Sequence, residues 1–153
     1  MSTLPEIYVD GDACPVKAEV LRVAERHGLR VHLVSNRGLR PSADPRVRQV
    51  VVSEAPDAAD DWIAGHIGAG DIAVTADIGL AARCLKQGAR VLGPSGKPFT
   101  EANIGLAQSL RDLSAQLRDS GEISGRGPGF SKRDRSRFLE QLEILVQALR
   151  RAR

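Results

Sequence analysis

Ile7-Tyr8-Val9-Asp10-Gly11-Asp12-Ala13-Cys14-Pro15 is the stretch of sequence that decides the fold. It begins as a β-branched and aromatic run, changes to Asp-Gly-Asp, and ends at a proline, which the first turn of a helix tolerates. This order predicts a strand, a turn and a helix. Because ligands of open α/β sheets bind at the carboxyl ends of the strands, Asp10 and Asp12 are expected to face the functional crevice.

The alternation of strand and helix continues along the chain. Further strands are predicted at residues 30–35, 49–53, 71–75 and 90–92, and helices at 16–28, 55–68 and 76–88. The branched run at 49–53 is typical of a strand covered on both faces. The pattern predicts a three-layer α/β domain with an open, mostly parallel sheet of about five strands and helices on both faces.

The last part of the sequence has a different composition. Residues 93–98 are turn-rich, and 103–118 have the apolar period of an amphipathic helix. After the glycine-rich connection at Gly125–Gly129, a capping box at Ser131–Asp134 opens a final helix. We therefore divide the chain into a domain at 1–119 and a segment at 120–153. The apolar seam of the final helix is expected to pack on the domain or on a second subunit in a homodimer; it contains Phe138, Leu142, Leu145 and Leu149.

Charge is distributed unevenly over the 153 residues. Residues 1–119 carry 14 Lys and Arg against 15 Asp and Glu, and residues 120–153 carry 8 against 4, for a net charge of +3. A nearly neutral body with a basic tail favours an anionic partner. Cys14 and Cys84 have no metal-binding or disulfide spacing. With no signal pattern and no apolar run of membrane-spanning length, we expect a cytoplasmic protein with no membrane association.

Acidic residues recur at the predicted carboxyl ends of strands and at helix starts. They are Asp10 and Asp12 after the first strand, Asp57, Asp60 and Asp61 at a helix start, and Asp77 after the fourth strand. Carboxylates that converge repel one another unless they share a cation. Mg²⁺ or Mn²⁺, which prefer oxygen ligands, would satisfy such a group. The alternative is that Asp12, Asp57 and Asp77 act only as helix caps.

Three motifs in this order resemble the acidic motifs of PIN-domain and NYN-type metal-dependent ribonucleases. The motifs are Asp10-Gly11-Asp12-Ala13-Cys14, Asp60-Asp61-Trp62-Ile63 and Thr75-Ala76-Asp77-Ile78-Gly79-Leu80-Ala81. Over nearly its full length, including Thr100, Asn103-Ile104 and Ser131-Lys132-Arg133-Asp134-Arg135, the chain resembles the YaiI/YqxD family of uncharacterised bacterial proteins. The resemblance implies a PIN-like parallel sheet. It also implies that four acids hold the metal and are catalytic, namely Asp10, Asp60, Asp61 and Asp77. Asp12 stands where the NYN pattern commonly has Ser, and we include it among the predicted metal ligands.

These inferences predict a Mg²⁺- or Mn²⁺-dependent nuclease that hydrolyses phosphodiester bonds of RNA. The metal would generate a hydroxide and clamp the scissile phosphate. Basic residues expected to contact nucleic acid are Arg37, Arg40, Arg46, Arg48, Lys132, Arg133 and Arg135. Because only 3% of residues are aromatic, little surface is expected for base stacking, and Trp62 is assigned to the core.

Two other functions remain open at this stage. Asp10 and Asp12 after a first strand also match the nucleophile and acid of a haloacid-dehalogenase-type phosphatase, although no downstream lysine at a strand end supports this. The domain could instead be a non-catalytic module that binds RNA or a protein. The basic tail and the arginines suit that reading equally well.

Overall fold

The central element of the fold is a six-stranded open sheet. A computed structural model of the chain describes residues 4–37, 43–105 and 130–152. The strands are β1 (Ile7–Asp10), β2 (Val31–Ser35), β3 (Val47–Val51), β4 (Ile72–Val74), β5 (Arg90–Leu92) and β6 (Pro98–Phe99). Their order is β3-β2-β1-β4-β5-β6, and all neighbours are parallel except β5 and β6. The predicted α/β class with a mostly parallel open sheet is confirmed.

Helices cover both faces of this sheet. They are α1 (Lys17–His27), α2 (Ala58–His66), α3 (Ile78–Lys86), α4 (described over residues 101–105) and α5 (Lys132–Arg151). A short 3₁₀ turn at Gly11–Ala13 separates β1 from α1. Helix α1 ends where Gly28 adopts a left-handed conformation with φ of 70° and its N–H caps the preceding carbonyls. None of the helices in the described ranges is long and apolar enough to cross a membrane.

Alternate side chains of the strands enter two separate cores. One core lies between the sheet and helices α1 and α5; it includes Ile7, Val9, Leu33, Val74, Val20, Val23, Phe138, Leu142 and Val146. The other lies under α2 and α3 and includes Tyr8, Val34, Ala73, Val91, Ile63, Leu80 and Cys84. The predicted seam of the last helix is thus covered by α1 of the same chain.

Two strands differ from the sequence prediction. Strand β3 begins two residues earlier than expected and forms an edge of the sheet, so the expectation that it is covered on both faces is wrong: Val51 is 61% exposed. Strand β6 was not predicted, because its two residues include a proline and follow a turn. Proline is tolerated there because β6 is also an edge. Outside the described residues lie Arg40, the helix prediction for 106–118, the domain boundary at 119 and the Gly125–Gly129 connection.

Helix α5 begins beside the carboxyl end of the sheet. Its predicted capping box is confirmed, since Ser131 and Asp134 each accept a hydrogen bond from the other's backbone N–H. Arg135 then donates to the carbonyl of Pro15 at 2.9 Å and to the buried carboxylate of Glu19 at 2.6 Å. These contacts hold the basic first turns of α5 next to the turn that follows β1.

Candidate functional site

Thr75 links two aspartates at the carboxyl edge of the sheet. Because β1 and β4 are parallel neighbours, Asp10 and Thr75 leave the sheet side by side. The Thr75 hydroxyl donates to Asp10 Oδ2 at 3.0 Å and accepts from the Asp77 N–H at 3.0 Å. Asp77 Oδ1 in turn caps α3 by accepting from the Leu80 N–H at 3.0 Å. Both carboxylates are therefore held in fixed positions beside each other.

A third carboxylate, Asp60 in the first turn of α2, lies near enough for its charge to interact with those of Asp77 and Asp10. Burial, followed by the charges of Asp77 and Asp10, raises the pKa of Asp60 to about 6. Burial also raises the pKa of Asp10, with further contributions from Asp12 and Asp77 and an opposing hydrogen bond from Thr75. We call Asp10, Asp60 and Asp77 the aspartate cluster. Three segments distant in sequence thus bring interacting negative charges to the carboxyl end of the sheet.

The other two predicted acids have different partners. Asp12 accepts from the Ser35 hydroxyl at 2.6 Å and from the Asn36 N–H at 3.1 Å, so it ties the turn after β1 to the end of β2. Asp61 forms an exposed ion pair with Arg83 at 2.8 Å. Successive helical residues point about 100° apart, so Asp60 and Asp61 do not face the same way.

The predicted arginines are divided between the two ends of the sheet. Arg37 lies at the carboxyl end, where its N–H donates to the Ser35 hydroxyl. Arg46 and Arg48 lie at the amino ends of the strands, since the Arg46 carbonyl accepts from Val31 and Arg48 pairs in register with His32. Of these, only Arg37 follows a strand end on the side of the aspartate cluster.

Helix α5 brings further positive charge to that side. Lys132 and Arg133 are exposed in its first turn. Arg135 is committed to Glu19 and Pro15, and it lies over the ring of Phe130 at 5.2 Å. Lys132 and Arg133 thus extend from a helix start that Arg135 holds in position.

A cavity of about 250 Å³ lies next to the aspartate cluster. It is lined by Asp10, Cys14, Val74, Thr75, Ala76, Asp77 and Pro94. Burial raises the pKa of the Cys14 thiol from its ordinary value of 9.0, so the thiol stays protonated at neutral pH and is a poor nucleophile. Water fills about 30 Å³ per molecule, so the space suits a hydrated ion together with part of a phosphate group.

Two hydroxyl residues of this edge were not singled out from the sequence. Ser35 and Thr75 are each 2% exposed, and each holds an aspartate from the neighbouring strand β1 or its turn. The signal was present in the sequence, because Ser35 ends the buried strand β2 and Thr75 directly follows the buried strand β4. The role of the two hydroxyls follows only from the position of β1 between β2 and β4 in the sheet.

The donor set of the aspartate cluster fits a hydrated hard cation. Within the described residues, no three His, Cys, Asp or Glu side chains are arranged to enclose a metal ion. Mg²⁺, however, usually keeps several waters and binds through one or two carboxylates. Thr75 occupies one oxygen of Asp10 and Leu80 one oxygen of Asp77, so each residue retains a second oxygen. Burial and the neighbouring negative charges raise the pKa values of Asp10 and Asp60, and a bound cation would relieve this repulsion.

The fold and this edge define an α/β protein that gathers carboxylates at the carboxyl ends of a parallel sheet. The chain belongs to the YaiI/YqxD family: the family model described as "Uncharacterized BCR, YaiI/YqxD family" matches residues 8–148. A UPF0178 protein of Parvibaculum lavamentivorans is 60% identical over 97% of each chain. UPF0178 proteins of Rhodospirillum rubrum and Rhizobium etli are 57% and 61% identical, over 97% and 92% of this chain and 99% and 91% of theirs. No solved structure matches the chain. The likeness to PIN-domain nucleases stays a prediction.

Proposed function

We propose that this protein is a Mg²⁺- or Mn²⁺-dependent nuclease that hydrolyses phosphodiester bonds of RNA. The observation that carries the proposal is the aspartate cluster, in which burial, together with the charges of neighbouring carboxylates, raises the pKa values of Asp10 and Asp60. Such crowding opposes folding and adds no apolar packing. Perturbed carboxyl groups beside a cavity are the usual mark of a functional site.

The residues of the cluster have distinct roles in this proposal. Asp10, held by Thr75, and Asp77, held by the start of α3, offer oxygens in fixed positions. Asp60 adds a carboxylate from α2 that is not committed to a helix cap, because the N-cap position of α2 is Asp57. When bound, a divalent ion supplies an activated water and neutralises charge on the phosphate.

Positive side chains on the same side favour an extended anionic substrate. Lys132 and Arg133 leave the first turn of α5, and Arg37 follows the end of β2. Contacts to phosphates position a nucleic acid without reading its sequence. This arrangement supports a polyanionic chain as substrate over a small phosphomonoester, which the haloacid-dehalogenase-type alternative requires.

Metal binding is tested first, by calorimetric titration of Mn²⁺ at a pH above 7. The wild type should bind, the Asp10→Asn/Asp77→Asn double variant should not, and Asp61→Asn should bind like the wild type because Asp61 pairs with Arg83. Circular dichroism confirms that each variant is folded. The same titration in the presence of a non-cleavable RNA covers the case in which the substrate completes the metal's coordination shell.

Cleavage is tested with labelled single-stranded RNA and with a phosphomonoester. Metal-dependent RNA cleavage that Asp10→Asn and Asp60→Asn abolish, and that Asp61→Asn retains, supports the proposal. Binding of RNA without cleavage in any metal would instead identify a binding module. Turnover of the phosphomonoester alone would identify a phosphatase. Absence of metal binding both with and without RNA would leave the aspartates as helix caps and refute the proposal.

A further inference from the structure

Three side chains form a stacked group on the flank of α2 nearest to the sheet edge β3. The rings of Trp62 and His66 are stacked with centroids 3.8 Å apart and an interplanar angle of 15°. The guanidinium carbon of Arg48, from β3, lies 5.7 Å from the centroid of the Trp62 ring. We call these three residues the stacking surface. It joins a cation to two aromatic planes.

The stacking surface packs against two further rings, those of Tyr8 and His32, which hold it in place. Trp62 lies 6.1 Å from the ring of Tyr8 and 6.0 Å from that of His32, and those two rings stack on each other at 4.4 Å. His66 Nδ1 lies 2.7 Å from the Trp62 carbonyl, so the ring nitrogen donates and the ring orientation is fixed. A ligand that stacks here would lose little free energy to ordering of the side chains.

Packing of the core accounts for only part of this arrangement. Trp62 is half-buried and packs against the core under α2, which agrees with its prediction as a core residue. Arg48 and His66, however, are exposed. Guanidinium and imidazole planes at a surface are platforms on which unpaired nucleobases stack. The nearby acids have partners: Glu6 contacts His32 at 2.7 Å, and Asp71 accepts from the N–H of Glu6.

The stacking surface lies within reach of the aspartate cluster. Helix α2 carries Asp60 in its first turn and His66 at its end, about 9 Å apart along the helix axis at 1.5 Å per residue. The two residues also point about 120° apart around the axis at 100° per residue, so a strand that contacts both must pass around the helix. About three stacked nucleotides, at about 3.4 Å each, span the axial part of this distance, and additional nucleotides span the rest. A strand with one phosphate at the aspartate cluster can therefore place nearby bases at the flank of α2.

We propose that Arg48, Trp62 and His66 are a base-binding surface for single-stranded RNA. This inference rests on the proposed function for the choice of RNA, and it adds where and how the bases are held. Base pairing would hide the faces of the bases, so a duplex should bind less tightly than a single strand. Stacking accepts every base, so little sequence preference is expected.

The test compares two oligomers of equal charge in EDTA, which prevents metal-dependent cleavage. One is a single-stranded 2′-O-methyl oligoadenylate decamer, and the other is an abasic decamer with the same backbone. Affinity is measured by anisotropy of a terminal label, and the emission of Trp62, the only tryptophan in the chain, reports contact with bases. The variants are His66→Ala and Arg48→Lys, which keeps the charge but removes the plane. Arg22→Lys on the exposed face of α1 is the matched control.

The wild type and the control should prefer the base-bearing oligomer by about fivefold to 150-fold, with quenching of Trp62 emission. His66→Ala and Arg48→Lys should each lose most of that preference. Equal binding of the two oligomers, binding of neither, or an unchanged preference in both variants would overturn the inference. Because no metal is present, a base preference without any RNA cleavage in the separate assay would refute the nuclease and leave this surface standing. RNA cleavage without a base preference would support the nuclease and refute the base-binding surface.

Discussion

Replacing Asp60 by asparagine should stabilise the metal-free protein at neutral pH. In the folded protein, burial and the charges of Asp77 and Asp10 raise the pKa of Asp60 from 3.8 to about 6. As the pH rises through the lower value, the unfolded chain loses this proton while the folded protein keeps it. The folded state then binds more protons than the unfolded state, so stability falls between about pH 4 and pH 6. Asparagine removes that loss.

The size of the effect follows from the shift. About two pKa units correspond to about 3 kcal/mol at 1.36 kcal/mol per unit. Asp60 is partly exposed, and screening by solvent reduces this to about 1–2 kcal/mol. Asparagine also gives up an interaction of the carboxylate with the N-terminus of α2, worth about 0.3–1 kcal/mol. The net gain in the free energy of unfolding above pH 7 is therefore about 1 kcal/mol.

Urea denaturation followed by circular dichroism, in EDTA, measures this difference at about pH 4 and about pH 7.5. Asp61→Asn is the matched control, because it removes a charge from the same helical turn at an exposed position that pairs with Arg83. The control should not gain stability at the higher pH. If Asp60→Asn is no more stable than the wild type above pH 7, or gains the same amount at both pH values, the carboxylates do not converge as described.

Two further predictions concern the packing of α5 and use urea denaturation at neutral pH. Gly96→Ala should lower the free energy of unfolding by about 2–4 kcal/mol, because Gly96 has a φ of 90° and a Cβ there would lie 2.7 Å from Arg137 Cγ and 2.8 Å from the Arg137 carbonyl carbon. Gly65→Ala, on open helix surface, should instead gain about 0.5–1 kcal/mol; equal stabilities would mean that α5 does not contact the Gly96 turn. Phe138→Ala should cost about 3–5 kcal/mol, and Ile144→Ala, at a side chain 51% exposed, less than about 1 kcal/mol. Similar losses in the last pair would place Phe138 outside the core.

Strand and helix identities were predictable where a run has one strong period. The buried run of β1 and the capping box of α5 were both identified correctly from the sequence. The edge position of β3 was not, because edge or centre depends on which strands pair. Arg46 and Arg48 also give the residues around Val47 the composition of the arginine-rich loop before them, which moved the predicted start of the strand to Gln49.

The candidate site was predictable as a set of strand ends and only partly as individual residues. Asp60 shares a helical stripe with buried Ile63, so helix periodicity alone could have separated it from Asp61. The stacking surface was out of reach, because Arg48 and Trp62 meet only through the way α2 lies against β3. The hydrophobic periodicity of neither segment indicates that contact.

The covering of α1 by α5 has a consequence for biosynthesis. Arg135 and Glu19 are 116 residues apart in the chain, yet they form an ion pair between the two helices. While the ribosome is still translating the intervening sequence, the part of the core beside α1 that α5 covers stays exposed to water. This nascent intermediate exposes apolar side chains, which chaperones bind and which favour aggregation. Such a long-range closure also implies slow refolding, because distant segments must meet before their contact stabilises either one.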